Sequence, residues 1–381
     1  MVRTRNMIVS RPSELTTQAA PDVCAASIGP PRTAFFELLY GCNYFCRYCY
    51  VGEEFNHRTP NVPPLDAVVR MLGVLKDEGV QEVVLVGGEP FLYRGFEEVC
   101  DAMGRLDFES RGVLSNGFAL SDSHRDALVR NGFWADVTLR GDDTGAFDRI
   151  TRVNGSFEKA RDTLTKLCTA GIRTGIEYDC LLPSYQQLYR AVSLVVAGGV
   201  KIAQVQLHRI QPSGDATSRM AEFDLTVDQW RDVFRQALRI QSELGIRVAF
   251  EDGFPFCLVD RACWPMIAAC GCGFTSITVS PSGDLRYCAC SSGVNGNLLT
   301  SPREELWRRG MGEYRAARKF PEACRKCDLI KACRGGCSAS SRSADRLEDR
   351  FSHLFTPQRI AKHDQAVPRI VYSQSLPVDM G

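Results

Sequence analysis

One short run, Gly41-Cys42-Asn43-Tyr44-Phe45-Cys46-Arg47-Tyr48-Cys49-Tyr50, carries three cysteines. Four thiolates saturate a cubane [4Fe–4S] cluster. Three at this spacing hold three irons and leave the fourth open to a small molecule. A zinc knuckle or three reduced structural thiols are the alternatives that the triplet alone allows. A second cysteine field lies far downstream. Cys257, Cys263, Cys270 and Cys272 come first, then Cys288 and Cys290, then Cys324, Cys327, Cys333 and Cys337. Taken alone, C-x2-C followed by C-x3-C also satisfies a zinc ribbon.

Around the triplet the chain alternates strand-like and helical patterns. Short β-rich runs at 34–39, 83–86, 112–115, 135–139, 173–178 and 203–208 predict strands. Amphipathic stretches at 65–75, 96–105, 124–130, 157–170 and 187–196 predict helices between them. Such alternation predicts an α/β fold whose parallel strands are joined by right-handed crossovers. The second of these runs ends in Gly87-Gly88-Glu89-Pro90.

The C-x3-C-x2-C triplet, the aromatic before its last cysteine and the Gly-Gly-Glu-Pro turn after the second strand resemble the radical S-adenosylmethionine (SAM) enzymes. The resemblance implies a partial, six-stranded (β/α)6 barrel, with ligands at the carboxyl ends of the strands. It implies that Cys42, Cys46 and Cys49 hold a [4Fe–4S] cluster whose open iron chelates SAM, and that an electron from it releases a 5′-deoxyadenosyl radical. Gly87, Gly88, Glu89 and Pro90 would meet the SAM amino group, the glycines by close backbone approach and Glu89 by its charge. Ser115-Asn116-Gly117 resembles the family's Thr-Asn-Gly turn. Val137-Thr138-Leu139-Arg140-Gly141 resembles its Val-Ser-x-Asp-Gly, with Thr138 supplying the hydroxyl and Arg140 in place of the acid. The stretch 148–157 resembles the one whose arginine pairs with the SAM carboxylate, here Arg152, with Arg149 competing.

The downstream field resembles the SPASM extension of the same superfamily, and Gly296-Asn297-Leu298 and Glu305-Leu306-Trp307 resemble its linker. The resemblance covers residues 33 to 337 and implies auxiliary clusters. The first would take Cys288 and Cys337 with two of Cys263, Cys270 and Cys272. The second would take Cys324, Cys327 and Cys333. Its customary last cysteine is missing, because none follows Cys337; His353 and Asp349 lie near where that ligand falls, and an open iron is the other choice. The expected organisation is an N-terminal arm over 1–32, a barrel over 33–244, the SPASM extension over 245–345 and a tail over 346–381.

Composition agrees with an enzyme. The 381 residues include 44% hydrophobic ones, ample for a core, and the net charge of +1 implies no broad attraction to nucleic acid or membrane. The longest apolar stretch, 191–200, is too short to span a bilayer. The arm has no secretory h-region. Seventeen cysteines grouped at ligand spacing suit a reducing cytoplasm better than a disulfide scaffold. An iron–sulfur carrier or zinc scaffold would have no use for the Gly87–Pro90 turn or a three-cysteine open site.

For the substrate, the resemblance implies oxidation or crosslinking of a ribosomally made peptide. The alternative is dehydrogenation or epimerisation of a sugar or aminocyclitol. Sulfatase maturases carry an aspartate directly after the Gly-x4-Cys cysteine; Ala289 stands there, which argues against formylglycine formation. Cys290, next along, is a spare ligand, a small buried hydrophobe, or a hydrogen-atom donor of the kind epimerases require. The arm is too short for a leader-binding domain, so a peptide substrate implies a separate leader-binding protein or direct docking. A reductant such as flavodoxin or ferredoxin is implied as well.

Overall fold

The computed structural model describes residues 31–52, 62–291, 293–307, 320–325, 327–340 and 348–355. All but the last two residues of the expected arm and most of the expected tail lie outside them.

All six expected strands form: β1 (Thr33–Glu37), β2 (Glu82–Val86), β3 (Ser110–Ser115), β4 (Trp134–Leu139), β5 (Thr174–Asp179) and β6 (Gln204–His208). Each pairs parallel with the next. Phe36, Leu85, Val113, Val137, Ile176 and Leu207 on these strands are fully buried, as expected of a parallel sheet covered by its crossover helices. The helix over Val227–Leu244 shows how the cover is built. Trp230, Val233, Phe234, Ala237 and Ile240 form one buried stripe, a Thr226–Gln229 capping box starts the helix, and Gly245 at φ 67° ends it.

The sheet does not stop at six strands. β7 (Arg247–Phe250) adds parallel to β6. β8 (Ser276–Val279) pairs parallel with β1, and β9 (Leu285–Arg286) turns back antiparallel along β8. The order is β7-β6-β5-β4-β3-β2-β1-β8-β9. Residues beyond the expected boundary at 244/245 thus extend both edges of one sheet. Four aromatic side chains, Trp230, Phe234, Phe250 and Phe254, pack with ring centroids 5.2–6.0 Å apart, and Phe351 joins them 5.7 Å from Phe254. Because β1 to β6 run parallel, the loops that follow them open on one rim.

Candidate active site

The cysteine triplet leaves the end of β1 and lies against the turn after β2. Gly88 N–H donates to Leu39 O at 2.8 Å and Glu89 N–H to Gly41 O at 2.9 Å. A Cβ on Gly88 would stand 2.2 Å from Gly41 O, and one on Gly87, which sits at φ +129°, 2.4 Å from Leu39 O. The two glycines therefore let the chain's own cysteine loop come close, a steric duty distinct from the ligand contact expected of them. Further bonds fix the loop. Phe45 N–H donates to Thr151 O at 2.9 Å, Asp215 N–H to Cys49 O at 3.0 Å, and Tyr44 is buried.

Cys42 Sγ accepts from Tyr44 N–H at 3.4 Å and from Asn116 Nδ2 at 3.6 Å. Bonds of this kind orient a ligating sulfur and tune a cluster. Burial pushes the Cys42 thiol well up, with nearby Glu89 adding to it, and pushes Cys46 up to about 12. Cys42 and Cys46 are therefore neutral thiols before ligation, which releases their protons. Among the described residues, no three Cys, His, Asp or Glu side chains form a group suited to a single metal ion. A cubane asks for something else, since its cysteines grip different irons around a volume. Three thiols on one half-buried loop, with hydrogen bonds to sulfur, fit that group.

Glu89 is completely buried. Its Oε1 accepts from Ser115 Oγ at 2.8 Å and Phe91 N–H at 3.1 Å, and its Oε2 from Asn116 N–H at 2.8 Å. Burial nonetheless pushes its pKa up to about 7. Asn116 also donates to Asn43 Oδ1 at 2.8 Å, which ties the turn after β3 to the cysteine loop. Thr138 Oγ donates to Ser115 O at 3.4 Å, and Pro90 opens a single 3-10 turn, Pro90–Leu92. Glu89, Pro90, Ser115, Asn116, Thr138 and Cys42 thus stand together at neighbouring strand ends. Arg152 is exposed in a left-handed conformation (φ 60°), one residue after the carbonyl that holds Phe45; Arg149 is exposed too.

Arg140, which the sequence marked only as a departure, occupies the middle of this rim. It is buried, its Nε lies 3.2 Å from Asp179 Oδ2 and contacts Tyr48 OH, and Tyr48 OH donates to Asp179 at 2.5 Å. The rings of Tyr44, Tyr48 and Phe147 surround its guanidinium at 5.8–5.9 Å. Its charge acts on Cys46, and its Nη1 is buried with no hydrogen-bond partner. An unsatisfied guanidinium nitrogen beside the cysteine loop suits an anionic group such as a carboxylate.

The downstream cysteines separate into two groups. Cys272 contacts both Cys270 and Cys288, Cys337 contacts Cys270, and Cys288 is held low by hydrogen bonds from Cys272 and Cys290. Cys290 N–H also donates to Cys288 Sγ at 3.4 Å. Cys263 does not join them: its charged neighbours are Asp260 and Arg235. Of the three residues offered for the two open places in the first auxiliary set, the structure brings Cys270 and Cys272 to Cys288 and Cys337. Cys324, Cys327 and Cys333 line one cavity. Neither substitute for the missing cysteine lines it. Asp349 is buried in an ion pair with Arg209, and His353 is exposed with Nδ1 3.1 Å from Arg350 O.

Residues 36–189 match the model of the radical SAM superfamily. That segment is a radical SAM domain. The superfamily's SAM and [4Fe–4S] cluster are its cofactors, and the chain's cysteine-rich extension fits auxiliary clusters. This radical SAM enzyme is 23% identical over 354 residues to the AdoMet-dependent heme synthase of Nitratidesulfovibrio vulgaris, covering 85% of this chain and 92% of that one. It is 23% identical to the subtilosin biosynthesis protein AlbA of Bacillus subtilis, over 81% of this chain and 67% of AlbA. It is 22% identical to the PqqA peptide cyclase of Rhizobium meliloti, over 86% of each. Streptococcus suis SuiB bound to S-adenosylmethionine superposes with a TM-score of 0.69 at 18% identity, over 84% of this chain and 76% of SuiB. AdoMet-bound anSMEcpe gives 0.64 at 14%, over 87% and 96%. These likenesses place the sheet among the partial barrels of the superfamily.

Proposed function

We propose that this radical SAM enzyme takes a hydrogen atom from an unactivated C–H bond of a ribosomally made precursor peptide and leaves that peptide oxidised or crosslinked. The observation that carries the reading is a bridge between the two cysteine fields. Tyr50, next to Cys49, donates to Glu37 Oε1 at 3.2 Å; Arg286 pairs with the same carboxylate and donates to Ala289 O at 3.0 Å, between Cys288 and Cys290. A substrate seated on this rim meets both fields at once.

Cys42, Cys46 and Cys49 would hold a [4Fe–4S] cluster, which would supply the electron for reductive cleavage of SAM. The protein's part is positioning. Asn116 and Tyr44 hold Cys42. Glu89, Ser115, Thr138 and the Gly87–Pro90 turn shape the cradle for SAM, with Arg152 at its edge. Arg140 offers its free Nη1 to the SAM carboxylate. The thiols of Cys270, Cys272, Cys288 and Cys337 would hold a second iron–sulfur cluster, whose chemistry would be to accept the electron left on the substrate carbon. That makes net oxidation the outcome and gives Cys290 no obligatory part; as a hydrogen donor it would serve only the sugar or aminocyclitol alternative.

The peptide is favoured by relatives whose names state it, the PqqA peptide cyclase and SuiB, which is also known bound to its precursor peptide SuiA. Its reductant would be a flavodoxin or ferredoxin, and the peptide would dock directly or be presented by a separate leader-binding protein. Among the described residues no helix is long and apolar enough to cross a membrane, and the thiol-rich chain suits the cytoplasm. Incubation with SAM, reductant and a deuterated co-encoded peptide should move deuterium into 5′-deoxyadenosine. Transfer from a sugar or cyclitol alone would overturn the reading.

A further inference from the structure

The cavity lined by Cys324, Cys327 and Cys333 has a fourth thiol in its lining. Cys257 belongs to a short 3-10 turn, Phe256–Leu258, that follows β7, and it lines the same cavity. Its charged neighbours are those three cysteines, Cys333 foremost. The backbone on either side is built into the site. Phe256 N–H donates to Cys333 Sγ at 3.5 Å, and the Cys333 thiol reaches Phe254 O at 3.9 Å. Trp264 Nε1 holds Phe256 O at 3.1 Å and stacks on the Phe256 ring. The turn that presents Cys257 is therefore fixed on both faces.

We propose that Cys257, with Cys324, Cys327 and Cys333, forms a four-thiolate site for a [4Fe–4S] cluster. Cys257 takes the place of the cysteine that no residue after Cys337 supplies; the proposal rests on the SPASM reading of this extension. The donor chemistry suits iron–sulfur rather than a single ion. The four thiols line one cavity, while among the described residues no three such side chains form a single-ion group. The remaining walls, with Phe256, Ile330 and Phe355, are apolar and keep water from the sulfurs. Four protein ligands leave no iron open, so this site carries electrons and does not bind substrate.

The test uses full-length protein in the Cys42→Ala/Cys46→Ala/Cys49→Ala background, reconstituted anaerobically with iron and sulfide. Two four-iron clusters in the extension give about eight irons per chain. Adding Cys257→Ala should lower this to between about four and seven, with the signal of a three-iron cluster in the oxidised EPR spectrum when one iron alone is lost. Cys257→Ser keeps the volume and should shift the spectrum of one cluster only. His353→Ala and Cys263→Ala should change neither iron nor spectrum. Full iron and an unchanged spectrum in both Cys257 variants would overturn the ligand assignment alone. Iron near zero in the parent triple variant would overturn the SPASM cluster reading itself, and with it the proposal. Retention of the other cluster's signal in Cys257→Ala shows that the variant has folded.

Discussion

Arg209 and Asp349 form an ion pair of 2.8 Å with both side chains sealed from solvent. Arg209 follows β6; Asp349 comes from the segment after the last cysteines. The carboxylate also accepts from Cys337 N–H and Phe351 N–H, each at 2.9 Å. One buried contact thus docks the end of the cysteine field on the rim of the sheet. Breaking a buried pair strands its partner's charge and costs about 3–5 kcal/mol. Asp349→Ala should lower the midpoint of thermal unfolding accordingly and reduce iron bound in the extension through the loosened Cys337. Asp349→Asn, which keeps the acceptor for Cys337, should retain more of that iron. Equal iron in wild type and the alanine variant would refute the link.

Gly88 lets two carbonyls of the cysteine loop approach where a Cβ would clash, Gly41 O at 2.2 Å and Tyr40 O at 2.4 Å. Backbone atoms cannot yield as a side-chain tip does. Gly88→Ala should destabilise the protein by about 3–4 kcal/mol and displace the cysteine triplet. A variant with normal stability and normal 5′-deoxyadenosine formation would show the contact to be unimportant.

Arg140 presents an unsatisfied Nη1 beside Cys46. Loss of one charge-assisted hydrogen bond to the SAM carboxylate costs about 1.5–3 kcal/mol. Arg140→Lys keeps a cation near Asp179 but loses the fork of donors. It should raise the Kd for SAM about tenfold, which is about 1.4 kcal/mol, with the iron content of the triplet unchanged. Unaltered SAM affinity by calorimetry would remove Arg140 from the site.

Asp136 on β4 is pushed up to about 8, chiefly by burial and then by the neighbouring Glu177. A carboxyl whose folded pKa exceeds its unfolded value of 3.8 takes up a proton on folding. Its stabilising effect is therefore complete below pH 3.8 and lost as pH rises through about 8. From pH 6 to pH 8 wild type should lose stability through this group. Asp136→Asn keeps an acceptor for Gln204 and should show a flatter profile in thermal melts. Parallel profiles would disprove the assignment.

Much of this was legible along the chain. Parallel strands buried on both faces are short apolar runs, and amphipathic helices repeat their apolar residues at helical spacing, so β1 to β6 could be placed to within a few residues. The triplet and the turn at Gly87–Pro90 could be found because ligand spacing within one loop is a local property. β7 and β8 were not legible as parts of the sheet, because β8 pairs with β1, a partner more than two hundred residues away in sequence. Local pattern carries no record of such pairing.

The sequence by itself determined which residue types were present and which lay close along the chain: three thiols on one loop, glycines at a strand end, a hydroxyl and an amide after the next strands. Only the tertiary structure decided who faces whom. It turned Gly87 and Gly88 toward their own cysteine loop, brought Arg140 to Cys46, left Cys263 apart from Cys288 and set Cys257 in one cavity with Cys324, Cys327 and Cys333. The reason is physical. Spacing sets reach along a backbone, whereas these meetings are made by packing between segments far apart in the chain, held by buried contacts such as Arg209 with Asp349.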